Sequence, residues 1–222
     1  MQRYFEVLVF DWDGTLMDSE ANIVACMDYA IRKHGIEPDT QHKLSRVIGL
    51  GLVEAVADLL PEHSTQLHEA VADTYRQRFL ADTNTASVLF PGVIQTLQLL
   101  SQAGYQLSVA TGKSRRGLDR DLRQTGLEQL FPVTRCADET FSKPHPQMLD
   151  EIKTDFDVDA EQMLMIGDTE FDLQMAKNAG VPSVGVSYGV HEVEQLRAHT
   201  PMTILDQINQ LPEWLNSLTN DD

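Results

Sequence analysis

Short apolar runs alternate along most of the chain with stretches whose apolar residues recur at helical spacing. The apolar runs predict buried strands at 7–10, 105–110, 133–136, 162–166 and 181–186. The stretches between them predict helices, and a last helix is predicted over 204–218. Because strands and helices alternate, the crossovers should be right-handed and the strands parallel. The pattern therefore predicts an α/β fold, a Rossmann-like parallel sheet core with helices on both faces.

Residues 18–85 follow a different pattern, in which helical periodicity continues without an intervening apolar strand. Predicted helices cover 20–34, 44–48, 52–60 and 65–80, and Gly35 and Pro61 mark two of the ends. We therefore expect an all-helical domain over 18–85, inserted after the first strand. The α/β core would then consist of residues 1–17 and 86–222.

The charge and composition limit the classes of partner. The 222 residues include 17 basic and 34 acidic residues, a formal net charge of −17, which disfavours nucleic acids and anionic membranes. We see neither a signal peptide nor a membrane-spanning run, and Cys26 and Cys136 match no metal or redox spacing. These observations predict a cytoplasmic protein with reduced core thiols, as a monomer or homodimer.

A basic cluster at 113–123 could still attract a small anionic substrate. Its members are Lys113, Arg115, Arg116, Arg120 and Arg123. We interpret Arg120 and Arg123 as part of a solvated helix face, since charge runs of this kind usually serve solubility.

Polar groups follow three of the predicted strands. The first ends in Asp11 and Asp13, the second in Thr111, and the fourth in Asp168. The carboxyl ends of parallel strands share one edge of a sheet, so these side chains should converge. Two carboxylates at one strand end repel each other. Their presence therefore favours a bound cation, a shared proton or a role in a chemical reaction.

The motifs resemble those of a known family. They are Asp11-x-Asp13-Gly14-Thr15-Leu16, a strand ending in Thr111-Gly112-Lys113, Ser142-Lys143-Pro144-x-Pro146, and Ile166-Gly167-Asp168-Thr169-x-x-Asp172. In this order they are similar to the four motifs of haloacid dehalogenase-like phosphatases. The resemblance covers essentially the whole chain. The helical insertion is placed as in the subgroup with a helical cap, which includes phosphoglycolate phosphatases and β-phosphoglucomutases.

The resemblance implies the following catalytic roles. Asp11 would be the nucleophile that forms an aspartyl-phosphate, and Asp13 would be the general acid and base. Thr111 would hydrogen-bond the transferring phosphoryl group, and Lys143 would neutralise charge on Asp11 and on the phosphate.

The resemblance also implies binding roles. Mg²⁺ would be held by Asp11, by the backbone carbonyl of Asp13 and by Asp168, with Asp172 as a supporting group. The phosphate would be bound by a set of four residues, which are Gly14, Thr15, Gly112 and Lys113. The side chain of Lys113 is expected at the mouth of the site.

The substrate is less well defined than the reaction. Asp13 favours phosphate ester or anhydride chemistry over dehalogenation, because a departing alcohol needs a proton. Phosphoglycolate is the leading expectation, and a phosphosugar mutase, another small phosphate ester or pyrophosphate remain alternatives. We see no clear lysine–histidine pair of the mutase kind in the insertion, which lowers the mutase alternative without removing it. A receiver-type signalling domain is disfavoured, since such domains have no helical insertion after the first strand.

Two features of the insertion leave alternatives open. The segment Gly49-Leu50-Gly51 is either an ordinary turn between helices or a loop that reaches over the site. Lys43 and Arg46, just before it, are either contacts for an acidic leaving group or solvated charges.

Overall fold

The computed structural model of the protein describes residues 4–38, 40–81 and 87–218. Its elements, in chain order, are β1 (Val7–Phe10), β2 (Met17–Asp18), α1 (Glu20–Lys33), α2 (Gln41–Ser45), α3 (Leu52–Leu59), α4 (Thr65–Ala81), β3 (Val88–Leu89), α5 (Val93–Gln102), β4 (Gln106–Thr111), α6 (Arg115–Thr125), β5 (Val133–Cys136), α7 (Gln147–Phe156), β6 (Met163–Gly167), α8 (Glu170–Ala179), β7 (Ser183–Val186), α9 (Val193–Arg197), β8 (Thr203–Leu205) and α10 (Leu211–Leu218). No helix within these ranges is long and apolar enough to cross a membrane.

Six of the strands form one parallel sheet in the order β5-β4-β1-β6-β7-β8. Strand β1 lies between β4 and β6, with Phe10 opposite Val109 on one side and Ile166 on the other. All four residues of β1 are buried, as expected for a central strand covered on both faces. The carboxyl ends of β1, β4 and β6 are therefore neighbours.

Helices cover both faces of the sheet, which confirms the predicted α/β fold. Leu8 and Phe10 of β1 belong to an apolar cluster shared with α5, α6 and α10. Val7 and Val9 point the other way and pack with residues of α7 and α8. The alternation along β1 follows from the two-residue period of a strand.

Helices α1–α4, which we call the helical insertion, lie between β2 and β3. These two short strands pair antiparallel, with Met17 opposite Leu89 and Asp18 opposite Val88. The helical insertion has its own apolar cluster, which includes Val24, Leu44, Val56 and Val71. The predicted boundary at 85/86 lies outside the described residues, and the division into two domains remains a prediction.

Two of the predicted helices were partly wrong. Residues 203–205 form β8, which pairs parallel with β7 at the edge of the sheet, and the last helix begins only at Leu211. Three residues are too few to show a strand pattern, whereas Pro212 in the first turn of α10 is a typical start signal. In the insertion, α2 ends at Ser45, and Val47 and Ile48 are buried in the turn that follows.

Candidate active site

A buried group of carboxylates and one lysine lies at the carboxyl edge of β1 and β6. Lys143 Nζ donates to Asp11 Oδ1 at 2.7 Å and to Asp172 Oδ1 at 2.6 Å. The Lys143 side chain is 0% exposed. Ligand atoms of Asp11, Asp168 and Asp172, which we call the acidic cluster, all lie within 4.8 Å of one another. The fold thus brings the Asp11 motif together with two motifs that lie more than 130 residues further along the chain.

Burial disfavours the ionised forms of Asp11 and Asp168. Desolvation raises the pKa of Asp11 well above its ordinary value; Lys143 opposes this, and Asp172 and Asp168 add to it. The pKa of Asp168 rises to about 7, mainly through burial and the nearby charge of Asp172. A divalent cation among these oxygens would favour their ionised forms.

The acidic cluster fits a hard cation. Asp11 Oδ2 is buried and has no hydrogen-bond partner among the described residues. A buried acceptor of this kind normally has a partner, and Mg²⁺ prefers carboxylate oxygen. Asp172 already accepts bonds on both oxygens, from Lys143 and from the N–H and hydroxyl of Thr169. These bonds leave Asp172 less available than Asp11 as a direct ligand.

Two loops fix the position of Asp168. Thr15 Oγ1 donates to its Oδ1 at 2.7 Å, and the Val190 N–H donates to its Oδ2 at 2.9 Å. A Cβ on Gly14 or on Gly189 would lie 2.2 Å from an atom of the Asp168 side chain. Gly14 also has φ +90°, so glycine is required there for both conformation and space. The predicted phosphate residues Gly14 and Thr15 are at the site, where they contact Asp168.

Asp13 lies in a different environment from the acidic cluster. Its Oδ1 accepts from Ser19 Oγ at 2.6 Å and lies 3.0 Å from Lys113 Nζ. Lys113 Nζ is also 3.2 Å from Asp121 Oδ2 and 4.6 Å from the centre of the Phe79 ring. Burial disfavours the charge on Lys113, but Asp13 and Asp121 outweigh burial and raise its pKa. The expectation that Lys113 lies at the site mouth was therefore wrong, since its ammonium is buried beside Asp13.

Thr111, at the end of β4, is fully buried, and its hydroxyl accepts from the Lys113 N–H at 3.1 Å. The neighbouring Gly112 faces the helical insertion. A Cβ there would lie 2.5 Å from the Leu50 carbonyl oxygen and 2.6 Å from that of Gly49. Glycine at 112 thus allows the backbone of the insertion to approach the end of β4.

The segment Gly49–Gly51, which we call the docking turn, reaches over the sheet edge. The Gly51 N–H donates to Ser142 Oγ at 2.7 Å, and Gly49 packs against Thr169. Both partners belong to core motifs. This decides between the two interpretations of the segment: it contacts the site and is more than a connection between helices.

His191 is a residue at this edge that the sequence interpretation missed. The Glu170 N–H donates to its Nδ1 at 3.1 Å, so the ring proton is on Nε2, which donates to the Arg46 carbonyl at 3.0 Å. Its ring is buried. His191 therefore joins the loop after β7 to the residue three positions before the docking turn. The one feature of the sequence that could have marked His191 as a site residue is its position shortly after the strand predicted over 181–186.

Some basic residues lie elsewhere than expected. The Arg46 guanidinium pairs with Asp58 Oδ2 at 2.7 Å on the surface, and Lys43 is exposed, so neither lines the site. Arg120 is not simply solvated, because it donates to the Phe79 carbonyl at 3.0 Å and covers the Phe79 ring. Arg123 is on the solvated face, as predicted, with its side chain 63% exposed.

A cavity of about 830 Å³ separates the sheet edge from the helical insertion. Its floor includes Asp11, Asp13 and Thr111, and its opposite wall comes from α1, the docking turn and α4. Asp11 and Asp13, the two carboxylates with which the chain's first motif begins, both face this space.

Comparison with known proteins places the chain in a family. The family model described as haloacid dehalogenase-like hydrolase matches residues 8–186. The chain belongs to this family. The match spans all four motifs and the helical insertion, which confirms the resemblance seen in the sequence.

Relatives of this hydrolase match along nearly their full length. One from Dickeya dadantii, named "Probable phosphatase IndB", is 33% identical over 211 residues, covering 92% of this chain and 91% of the relative. A phosphoglycolate phosphatase from Agrobacterium fabrum is 32% identical over 217 residues, covering 96% of this chain and 93% of the relative. The crystal structure of a hydrolase from Pseudomonas syringae is similar in fold, with a TM-score of 0.87 at 20% identity. The match covers 98% of this chain and 99% of that one.

Proposed function

We propose that the protein is a Mg²⁺-dependent phosphatase that hydrolyses a small phosphorylated metabolite through an aspartyl-phosphate. One observation carries the proposal: Asp11 is ion-paired to Lys143, has one oxygen without a hydrogen bond to any described residue, and faces the cavity beside Asp13. The helical insertion would act as a cap over residues 1–17 and 86–222. Family membership and relatives named as phosphatases support this assignment.

In the first step, the Asp11 carboxylate attacks the phosphorus and forms a P–O bond to the enzyme. The ester P–O bond breaks, its electron pair stays on the alcohol oxygen, and Asp13 supplies the proton. Ser19 and Lys113 hold the Asp13 carboxylate at the cavity floor. In this step Asp13 must be protonated, while Asp11 must be ionised.

In the second step, water attacks the phosphorus of the aspartyl-phosphate. The bond between phosphorus and the Asp11 oxygen breaks, its electron pair returns to the carboxylate, and Asp13 takes a proton from the water. The net change is that ester and water become alcohol and inorganic phosphate. Asp11 and Asp13 end in the states in which they began.

The transferring phosphoryl group carries charge that must be neutralised. Lys143 would contribute a fixed positive charge, because its buried ammonium is held by two carboxylates, and Thr111 would contribute a hydroxyl. Mg²⁺, held by Asp11, Asp168 and the backbone carbonyl of Asp13 with Asp172 in support, would supply further charge neutralisation. Gly14, Thr15, Gly112 and Lys113 would complete the phosphate site.

Phosphoglycolate is the first substrate to test, because several relatives at about 30% identity bear the name phosphoglycolate phosphatase. The test of the general function is release of inorganic phosphate from p-nitrophenyl phosphate and from phosphoglycolate, with and without Mg²⁺. We expect release that EDTA abolishes and that added Mg²⁺ restores. Absence of release from any ester in the presence of Mg²⁺ would contradict the proposal.

A further inference from the structure

We propose that the preferred substrate is a phosphate monoester whose alcohol has a neutral, largely apolar body, larger than glycolate. This inference rests on the proposed phosphatase function and refines its substrate class. It departs from the substrate in the relatives' names, because three properties of the cavity wall disfavour a small carboxylated alcohol.

The first property is size. The cavity holds about 830 Å³, which is within the range of roughly 300–1,000 Å³ for pockets that enclose drug-sized ligands. The phosphoryl group is confined to the floor, near Asp11 and Thr111. A two-carbon alcohol would leave most of the remaining space unfilled, and its binding would bury little of the apolar wall.

The second property is charge. Among the described residues that line the cavity, acidic ones outnumber basic ones, and away from the two floor carboxylates they are Glu54, Asp73 and Asp138. The three basic lining residues are Arg76, Lys113 and Arg116. Lys113 lies between Asp13 and Asp121, and Arg76 Nη1 donates to Asp73 Oδ1 at 2.6 Å. Arg76 and Asp73 neutralise each other, and Lys113 is paired with two carboxylates. Glu54 and Asp138 then remain against one further cation, Arg116, so a carboxylate on the leaving group would meet more negative than positive charge on the wall.

The third property is the apolar side of the wall. The helical insertion presents Ile23, Ile48, Leu50, Val53, Phe79 and Leu80 to the cavity. Leu50 and Leu80 are half-buried and belong to none of the three apolar clusters found in the described residues. Because both line the cavity, their side chains can contact a ligand there.

The experiment compares benzyl phosphate with phosphoglycolate in the presence of Mg²⁺. Both release a primary alcohol, so a difference in kcat/KM reports on recognition of the alcohol body. We expect kcat/KM for benzyl phosphate to be higher by at least about tenfold, the effect of one or more well-packed methylene groups. A higher kcat/KM for phosphoglycolate would overturn the inference while leaving the phosphatase function intact.

The second part of the test uses variants that place a positive charge on the cavity wall. Leu50→Lys should lower the benzyl-to-phosphoglycolate ratio of kcat/KM by about tenfold, because it replaces an apolar contact with a cation. Leu99→Lys, at an exposed apolar residue of α5 that is 57% exposed, is the matched control and should leave the ratio unchanged. If Leu50→Lys fails to fold, Leu80→Lys carries the same test.

The outcomes separate the two proposals. An unchanged ratio in a folded Leu50→Lys or Leu80→Lys variant would overturn the inference. Hydrolysis of p-nitrophenyl phosphate without hydrolysis of benzyl phosphate would overturn it as well. If none of the three esters releases phosphate, the proposed phosphatase function itself fails, and the inference fails with it.

Discussion

The sheet edge and the wall contributed by the helical insertion face each other across one cavity, but they are built in opposite ways. At the edge, Asp11, Lys143 and Asp172 are fully buried and joined by hydrogen bonds of 2.6–2.7 Å. On the wall, Leu50 and Leu80 are half-buried apolar side chains. The edge therefore fixes positions for charge, as phosphoryl transfer requires, and the wall offers shape and apolar surface.

The largest effect should come from replacing Asp11, the proposed nucleophile at the edge. Asp11→Asn keeps the side-chain shape but removes the attacking charge, so we expect phosphate release from p-nitrophenyl phosphate to fall by at least about 10³-fold. Circular dichroism should show that the variant remains folded. Asp150→Asn, at a half-exposed acid on α7, is the control and should retain full activity. Substantial activity in Asp11→Asn would refute the nucleophile assignment.

The stability of the buried group should also depend on the Lys143 ammonium. Lys143→Met leaves the carboxylates of Asp11 and Asp172 buried without a positive charge beside them. The free energy of unfolding, measured in urea without Mg²⁺, should therefore fall by about 3–5 kcal/mol. Lys153→Met removes a surface ion pair in which Lys153 Nζ lies 3.3 Å from Asp150 Oδ1. This change should lower the free energy of unfolding by less than about 1 kcal/mol. Similar losses in the two variants would mean that Lys143 does not balance the buried charges of Asp11 and Asp172 as described above.

A metal at the edge should stabilise the folded protein. Mg²⁺ at about one hundred times its dissociation constant should add about 2.7 kcal/mol, seen as a rise in the thermal midpoint. Asp168→Asn should lose most of this rise, whereas Asp58→Asn, in a surface pair with Arg46, should keep it. The metal assignment would fail if Mg²⁺ shifted the Asp168→Asn variant as much as the wild type.

A smaller effect should follow from loosening the contact between edge and insertion. His191→Phe removes the hydrogen bonds to the Arg46 carbonyl and the Glu170 N–H, each worth about 1 kcal/mol. We expect kcat/KM to fall about tenfold, mainly through KM, because the docking turn is less well held. His199→Phe is the control, since His199 Nε2 lies 3.7 Å from Glu170 Oε2 and its ring has no hydrogen bond to the described part of the insertion. An equal loss in both variants would argue against a role for His191 in docking.

The chemistry-bearing residues could be located from the sequence because they follow strands. Parallel strands have their carboxyl ends at one edge, so the motifs ending β1, β4 and β6 had to meet. The same reasoning did not place Lys143, which lies on a loop, and there the family resemblance was needed. The contacts of Lys143 with Asp11 and Asp172 support its predicted role without testing it.

The contacts between the helical insertion and the core could not be predicted. The carbonyls of Gly49 and Leu50 approach Gly112, and His191 bonds to Arg46 across 145 residues of sequence. No periodicity or spacing encodes such contacts, because they depend on how two packed units fit together. Arg120 was assigned to solvent for the same reason: its partner Phe79 belongs to the insertion.

The most direct measurement is to look for a covalent intermediate on Asp11, the proposed nucleophile. The enzyme is mixed with Mg²⁺ and p-nitrophenyl phosphate, quenched in acid during turnover, digested, and analysed by mass spectrometry. The peptide containing Asp11 should gain the mass of one phosphoryl group, and the same peptide from Asp11→Asn should not. A phosphoryl group found on another residue, or active wild-type enzyme that never carries one under single-turnover conditions, would contradict an aspartyl-phosphate at Asp11.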